Sequence, residues 1–219
     1  MALEPEAIFH CLDEVESGLF EAADDNDCQR FHRNSQLTAV LLLLLRTSSL
    51  LRSMLLLVQY RDLVDGFHLV ARGFEETWNL AHDLRFRVHH DRAIRWLAGT
   101  NNSWSARLAD IVEFAIGRGH REPTLARDYG LLSELAHPTR AAADNSVTLC
   151  GFRMGIDGAE AQIATEQENC EKRITATLYR LIWLVLDQDA RFIAIPVSEQ
   201  KMPQSSQFLR DYKYIDPAT

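Results

Sequence analysis

The sequence predicts an all-α protein, a multi-helix bundle of about six to seven helices with a small β-hairpin insertion near 146–164. Apolar residues recur at helical spacing along most of the chain. Gly and Pro number 10 and 6 among 219 residues, too few for a many-turned all-β fold. The hydrophobic share of 47% and the charged share of 25% are those of a globular protein. We therefore predict one domain over 1–190 and an irregular C-terminal tail over 191–219.

Four helices are predicted in the N-terminal half of the chain. The first covers about residues 5–23, and the second, which is rich in leucine, covers about 35–64. Asp65-Gly66 is a turn signal that should separate the second helix from the third. The third helix covers about 67–88, and a short fourth helix covers about 91–97. The third carries an apolar seam of Phe67, Val70, Phe74, Trp78, Ala81 and Leu84.

The C-terminal half is predicted to be helical around one short β-hairpin. Helices are expected over about 104–116, 123–136 and 166–189. Between the last two, Cys150, Phe152, Met154 and Ile156 alternate before the turn-forming pair Asp157-Gly158, a pattern typical of a hairpin. After residue 194 the prolines favour irregular structure.

Charge is unevenly distributed, and this bears on possible partners. The net charge is −8, which argues against a general nucleic-acid binder. Residues 1–27 hold nine acids and no Lys or Arg, whereas residues 28–61 hold five arginines and no acid. Pairing between the first two helices is one interpretation, and a basic face for RNA is the other. We favour pairing, because Arg46 and Arg52 interrupt an apolar helix that must be packed.

The cysteines and the termini indicate a cytoplasmic protein. The cysteines at 11, 28, 150 and 170 form no CxxC and no zinc-finger spacing, as expected of free thiols in a reducing compartment. The acidic start lacks the basic region of a secretory signal. Leu37–Val58 is the only membrane candidate, but Arg46 and Arg52 fall where a bilayer centre would be, so we predict a buried core helix and no membrane.

The third helix carries a polar stripe opposite its seam. His68, Arg72, Glu75, Asn79 and His82 follow one another at steps of four, three, four and three. We favour a solvated face with weak i,i+4 pairs. The alternative is a polar cleft in which Arg72 binds an anion while Glu75 or its neighbour Glu76 accepts a proton.

A second polar edge is expected on the helix over 123–136. Tyr129, Ser133 and His137 lie at i,i+4 spacing, and Pro138 follows the histidine. A serine within a helix lacks the exposed elbow of a nucleophile, so a structural histidine is favoured over a catalytic one. There is no HExxH, P-loop or GxGxxG motif, and we predict neither a metal nor a cofactor.

Two motifs resemble those of DUF5677, an uncharacterised bacterial family of helical domains. The segment LLRSMLLLVQYRDLVDGFHLVARGFEETWNL is similar to the opening of that family, where a helix bears R-x-x-x-E, here Arg72 and Glu76. The family's Y-x-x-L-S-x-x-x-H-P-[ST] motif is matched by Tyr129, Leu132, Ser133, His137, Pro138 and Thr139. The resemblance covers about residues 37–190. It implies a helical bundle in which these two helices lie side by side.

The family is also distantly similar to HEPN-type domains, but the R-x4-6-H motif of HEPN nucleases has no match before His137. We therefore favour an interaction or regulatory module, homodimeric or bound to a protein partner, with Arg72, Glu76, Tyr129, Ser133 and His137 as an internal polar network. The alternative is a metal-independent phosphodiesterase or ribonuclease in which His137 acts as acid or base and Arg72 binds phosphate. RNA binding through the arginine-rich stretch is the least favoured hypothesis.

Overall fold

The architecture is that of a helical bundle, and the predicted all-α class is confirmed. The computed structural model describes residues 4–24, 35–60, 63–87, 90–99, 132, 135, 140–186 and 193–212. Seven α-helices and one 3-10 turn lie within these ranges, and they contain no strand. The helices are α1 (Pro5–Asp24), α2 (Ser35–Val58), α3 (Val64–Phe86), α4 (His90–Leu97), α5 (Arg140–Arg153), α6 (Ala159–Leu186) and α7 (Pro203–Asp211).

Helix α2 is the centre of the bundle, where it contacts α1, α3, α4 and α6. Its apolar residues continue around most of its circumference, so several neighbours can bury it. It is the one helix in the described ranges that is long and apolar enough to cross a membrane, and 50% of its most apolar window is buried within the protein. The core helix of a globular protein meets the same criterion, and the four helices that contact α2 are consistent with a core position.

The turn between α2 and α3 differs from the prediction. Asp65-Gly66 does not form the turn, because α3 already begins at Val64. Gly66 instead lies where α3 passes close to α2: a Cβ at this position would be 3.5 Å from a methyl carbon of Leu57. Gly73, two turns later, faces Leu50 in the same way. The two glycines thus lie on the side of α3 that contacts α2, a position that a single sequence does not distinguish from a turn.

The predicted β-hairpin near 146–164 is wrong, because the segment forms the end of α5, a tight turn and the start of α6. Gly155 has φ +69°, and the N–H of Ile156 donates to the carbonyl of Gly151 (2.9 Å) while that of Gly155 donates to Phe152 (3.0 Å). This is a Schellman motif, a helix C-terminus that needs a glycine in the left-handed region. Gly158, at φ +85°, then completes the turn into α6. The glycines therefore end one helix and precede the next.

The C-terminal segment is more regular than predicted. Ile193, Ile195 and Val197 alternate inward along an extended stretch, and α7 follows it. Helix α7 contacts α1 and α6. The irregular tail is thus wrong for residues 203–211, because Pro203 stands at the first turn of a helix, where the missing N–H costs nothing.

Candidate functional site

The polar stripe of α3 is buried, and the favoured interpretation of a solvated face is wrong. His68, Glu75, Asn79 and His82 are all buried. Helical spacing correctly groups these residues on one face, but this face packs against α6. A charged residue placed there needs a partner within the protein, because it cannot be hydrated by bulk water.

Glu75 has that partner in Arg180 of α6. The Arg180 guanidinium donates through both terminal nitrogens to the two carboxylate oxygens of Glu75, at 2.7 and 3.1 Å. The side chains are 1% and 5% exposed, so the pair is almost completely withdrawn from solvent. A bidentate arginine–carboxylate pair fixes the orientation of both groups as well as their distance. It therefore fixes the register of α3 against α6.

Aromatic residues surround this ion pair. The guanidinium carbon of Arg180 lies 4.1 Å from a ring centroid of Trp78 and 5.7 Å from that of Phe74. The indole N–H of Trp78 donates to the main-chain carbonyl of Arg180 at 3.1 Å. Cation–π attraction is strongest where water is excluded, as it is here. Arg180 is thus bound to α3 by its charge, by its guanidinium face and by its backbone.

The end of α3 is tied to three other segments by polar contacts. Within α3 itself, His82 stacks on Trp78 with ring centroids 5.2 Å apart. The three contacts to other segments follow it along the chain. The Nε of Arg85 donates to the carbonyl of Ile193 at 3.3 Å, which joins α3 to the C-terminal segment. Asp83 forms an ion pair with Arg92 of α4. The amide of Gln36 on α2 donates to the carbonyl of Arg87 at 2.6 Å.

The residues proposed from sequence as a site are only partly described. Arg72 and Glu76 form an i,i+4 ion pair, with the Arg72 Nε 3.1 Å from Glu76 Oε1 and the side chains 24% and 45% exposed. Of the two adjacent glutamates, Glu75 is the buried one. Tyr129, Ser133 and His137 lie outside the described residues, so the meeting of the two motifs stays a prediction. Leu132, between them, is helical and buried in the core.

Charge pairing between the first two helices is confirmed at Arg52. Its guanidinium lies 2.7 Å from an oxygen of Asp13 and 2.8 Å from one of Glu16, both on α1. Although burial acts in the opposite direction, these hydrogen bonds and charges raise the pKa of Arg52. Arg46, in contrast, is exposed.

A second polar cluster lies between the start of α3 and the first half of α6. His68 Nε2 is 3.1 Å from Glu166 Oε1, and one ligand atom each of His68, Glu166 and Cys170 lie within 4.8 Å of one another. The hydrogen bond from His68 lowers the pKa of Glu166, whereas burial raises the pKa of the Cys170 thiol to about 12. No metal was predicted, and sequence reasoning missed this cluster. Its only local signal is the i,i+4 spacing of Glu166 and Cys170, because His68 is 98 residues before the glutamate.

Arg180 was also missed. It lies in the apolar run LYRLIWLVL, where a single arginine could equally extend from a helix end into solvent.

No family model, curated protein or solved structure matches this chain. The resemblance to DUF5677 is thus neither supported nor contradicted by these comparisons.

Proposed function

We propose that this chain is a cytoplasmic helical interaction module of the DUF5677 type that binds a second copy of itself through the outer face of α2. The ion pair of Glu75 and Arg180 keeps the bundle in one register so that this face has a constant shape. The observation that carries the proposal is a line of exposed residues on α2 that includes two leucines, Leu42 and Leu56.

The buried charges are suited to holding helices. Both oxygens of Glu75 accept hydrogen bonds from Arg180. A carboxylate whose two oxygens both accept from one guanidinium is held in a single orientation. We infer that the pair specifies the register of α3 against α6, a role that buried polar groups have in some helical proteins.

The outer face of α2, by which we mean Leu42, Arg46, Ser49, Ser53 and Leu56, consists of exposed residues at steps of four, three, four and three. These steps place all five residues on one face of the helix, with an exposed leucine at each end of the line. The Ser49 and Ser53 hydroxyls donate to carbonyls one turn earlier, at 3.1 and 2.9 Å. Both serines are small and satisfied within their own helix, so a partner helix can approach them closely.

The experiment is sedimentation analysis over a concentration series. Leu56→Arg places a charge in the outer face of α2, and Ile94→Arg makes the same kind of change at an exposed position of α4. We expect the wild type and Ile94→Arg to dimerise and Leu56→Arg to remain monomeric, because this face already contains the charge of Arg46, and Leu56→Arg replaces one of its two leucines with a second charged side chain. A wild type that is monomeric at every concentration, or equal loss in both variants, would contradict the proposal.

The alternative function, a HEPN-like phosphodiesterase, is tested by an RNA hydrolysis assay on the wild type and on two further variants. It requires hydrolysis of RNA by the wild type and loss of that hydrolysis in both Arg72→Ala and His137→Ala. Hydrolysis that depends on these two residues would replace the interaction module as the proposed function.

A further inference from the structure

The polar cluster of His68, Glu166 and Cys170 contains three types of metal ligand on two helices. Glu166 and Cys170 are one turn apart on α6, so their side chains share a face of that helix. His68 reaches the same place from the second turn of α3. Because α3 and α6 are packed against each other, the three ligands are brought together by the fold.

One ring nitrogen of His68 makes no hydrogen bond within the described residues. Its residue is 5% exposed, and within the part of the chain that the structure describes its Nδ1 has no hydrogen-bond partner, although Nε2 contacts Glu166. A buried ring nitrogen without a partner is costly, and native proteins rarely leave one without a reason such as an ion or a water. The nitrogen that lies beside Glu166 is Nε2, so Nδ1 shows that the ring is not fully satisfied by the protein, while the position of the site rests on the three ligand atoms.

We propose that His68, Glu166 and Cys170 form a binding site for one Zn²⁺ ion, with three protein ligands and a fourth position for water or another ligand. Imidazole nitrogen, carboxylate oxygen and thiolate sulfur are all established zinc ligands, and three protein ligands with an open position is a recurrent zinc geometry. A thiolate together with an imidazole favours a borderline-soft ion such as Zn²⁺ over Mg²⁺ or Ca²⁺.

The charge balance of the site also favours a divalent ion. On binding, the Cys170 thiol transfers its proton to solvent and its sulfur becomes a thiolate ligand, while the imidazole binds in its neutral form. One thiolate and one carboxylate then neutralise the two positive charges of Zn²⁺. A neutral complex has a smaller desolvation cost in this largely buried place than either the isolated thiolate or the isolated ion.

The position of Glu166 gives the ion a route to the site. Its side chain is 33% exposed, whereas that of His68 is 7% exposed. The carboxylate can therefore meet a hydrated ion first, while the imidazole and thiol form the inner part of the site.

The experiment uses the full chain, produced without a histidine tag and freed of metal by dialysis against a chelator. Zn²⁺ binding is followed by titration calorimetry, and Co²⁺ serves as a coloured probe of the ligands. We expect one ion per chain and, with Co²⁺, a sulfur-to-metal charge-transfer band in the near ultraviolet. Cys170→Ser should abolish this band and weaken Zn²⁺ binding at least about 10-fold, as loss of a direct ligand exceeds the effect of losing a supporting group.

Cys11→Ser is the matched control, since Cys11 is also a buried free thiol but lies in α1. It should leave the charge-transfer band and the Zn²⁺ affinity unchanged, as should Cys28→Ser and Cys150→Ser. Circular dichroism shows which variants are folded. If Cys170→Ser is not folded, Glu166→Gln replaces it, because the amide keeps the shape of this partly exposed side chain but is a weaker ligand. The Zn²⁺ affinity of Glu166→Gln should fall by a similar factor.

Three results would overturn the proposal. The first is a wild type that gives no charge-transfer band with Co²⁺. The second is a band that persists in folded Cys170→Ser, and the third is wild-type affinity in Glu166→Gln. In each case His68 and Glu166 would form an ordinary ion pair beside a buried thiol. Dimerisation through α2 is measured separately, so either proposal can fail while the other stands.

Discussion

Glu75 and Arg180, 105 residues apart in the sequence, form a bidentate ion pair that joins α3 to α6. The neighbouring ion pair of Arg72 and Glu76 is different: both of its residues belong to α3, and both side chains are partly exposed. The same two residue types thus meet twice on α3, once buried and once partly exposed. The two pairs have the same residue types but differ in burial and geometry, so they can be compared in one set of variants.

The two arginines should differ in their effect on stability. Arg180→Ala leaves the Glu75 carboxylate buried without its partner, so we expect the free energy of unfolding to fall by about 3–5 kcal/mol. Arg72→Ala removes a partly exposed i,i+4 pair and should cost about 0.5 kcal/mol or less. Denaturant titration of both variants measures the difference. Equal losses would mean that Arg180 is not buried in solution as it is in the structure.

Removal of both charges should be tolerated much better than removal of one. In Glu75→Leu with Arg180→Met, neither desolvated charge remains and apolar side chains of similar length occupy the space. We expect the double variant to recover most of the stability that Arg180→Ala loses, because a buried pair replaced by packed apolar groups is often neutral. If the pair specifies register, the double variant should also show broader amide resonances on α3 and α6 at equal stability. Sharp resonances in the double variant would remove the register argument from the proposed function.

The helices could be predicted to within a few residues at most described ends because apolar spacing reports directly on which face is buried. The predicted helix over 5–23 is α1, at Pro5–Asp24, and the one over 91–97 is α4, at His90–Leu97. The hairpin prediction failed because a Gly-x-x-Gly segment between apolar residues fits two structures. Gly155 ends α5 in a Schellman motif, and only the helical residues before it distinguish this from a hairpin turn.

The candidate sites were much harder to predict, because their contacts are between helices. Spacing placed His68 and Glu75 on one stripe of α3, but it did not show that α6 covers this stripe. Arg180 is a single charged residue in an apolar run, whereas Cys170 is a single cysteine in a run of polar residues, and nothing local shows what either side chain contacts. Their partners are about a hundred residues away, and that distance is closed only by the tertiary fold.

Glu14 is expected to hold α7 in place. Its carboxylate accepts the main-chain N–H groups of Gln204 and Ser205, at 3.0 and 2.8 Å, and the Ser205 hydroxyl at 2.9 Å. These amides belong to the first turn of α7, where no partner exists within the helix. Glu14→Ala should therefore reduce the free energy of unfolding by about 1–2 kcal/mol, as the loss of a cap does. Amide hydrogen exchange at the two residues should become faster in the same variant.

Glu21→Ala is the control for this prediction. Glu21 also joins α1 to the C-terminal segment, through Lys201, but both side chains of that pair are about half exposed. An exposed pair contributes about 1 kcal/mol at most, and exchange at the start of α7 should not change in Glu21→Ala. If Glu21→Ala affects exchange at Gln204 as strongly as Glu14→Ala does, the cap is not what holds α7.

Stability should depend on Cys11 at alkaline pH. Burial raises the pKa of this thiol from 9.0 to about 11, against a smaller opposite effect of its hydrogen bond with Ser205. In the unfolded chain the thiol ionises near its ordinary value, while in the folded chain it keeps its proton up to the raised pKa. The unfolded state therefore binds fewer protons between about pH 9 and 11, and stability must fall as pH rises through this window.

The measurement is the difference in free energy of unfolding between the wild type and Cys11→Ala at several pH values. Other groups titrate in the same window, but they are common to both proteins and cancel in the difference. The variant has no thiol at this position. The free energy by which the wild type is more stable than the variant should therefore be constant up to about pH 9 and then decrease as the unfolded thiol ionises. Cys150→Ala is the matched control, because it also removes a thiol, but one at an exposed position. The free-energy difference between the wild type and Cys11→Ala could instead stay constant from neutral pH to pH 11. The folded thiol would then ionise as readily as the unfolded one, and the contact of α1 with α7 would be open to solvent.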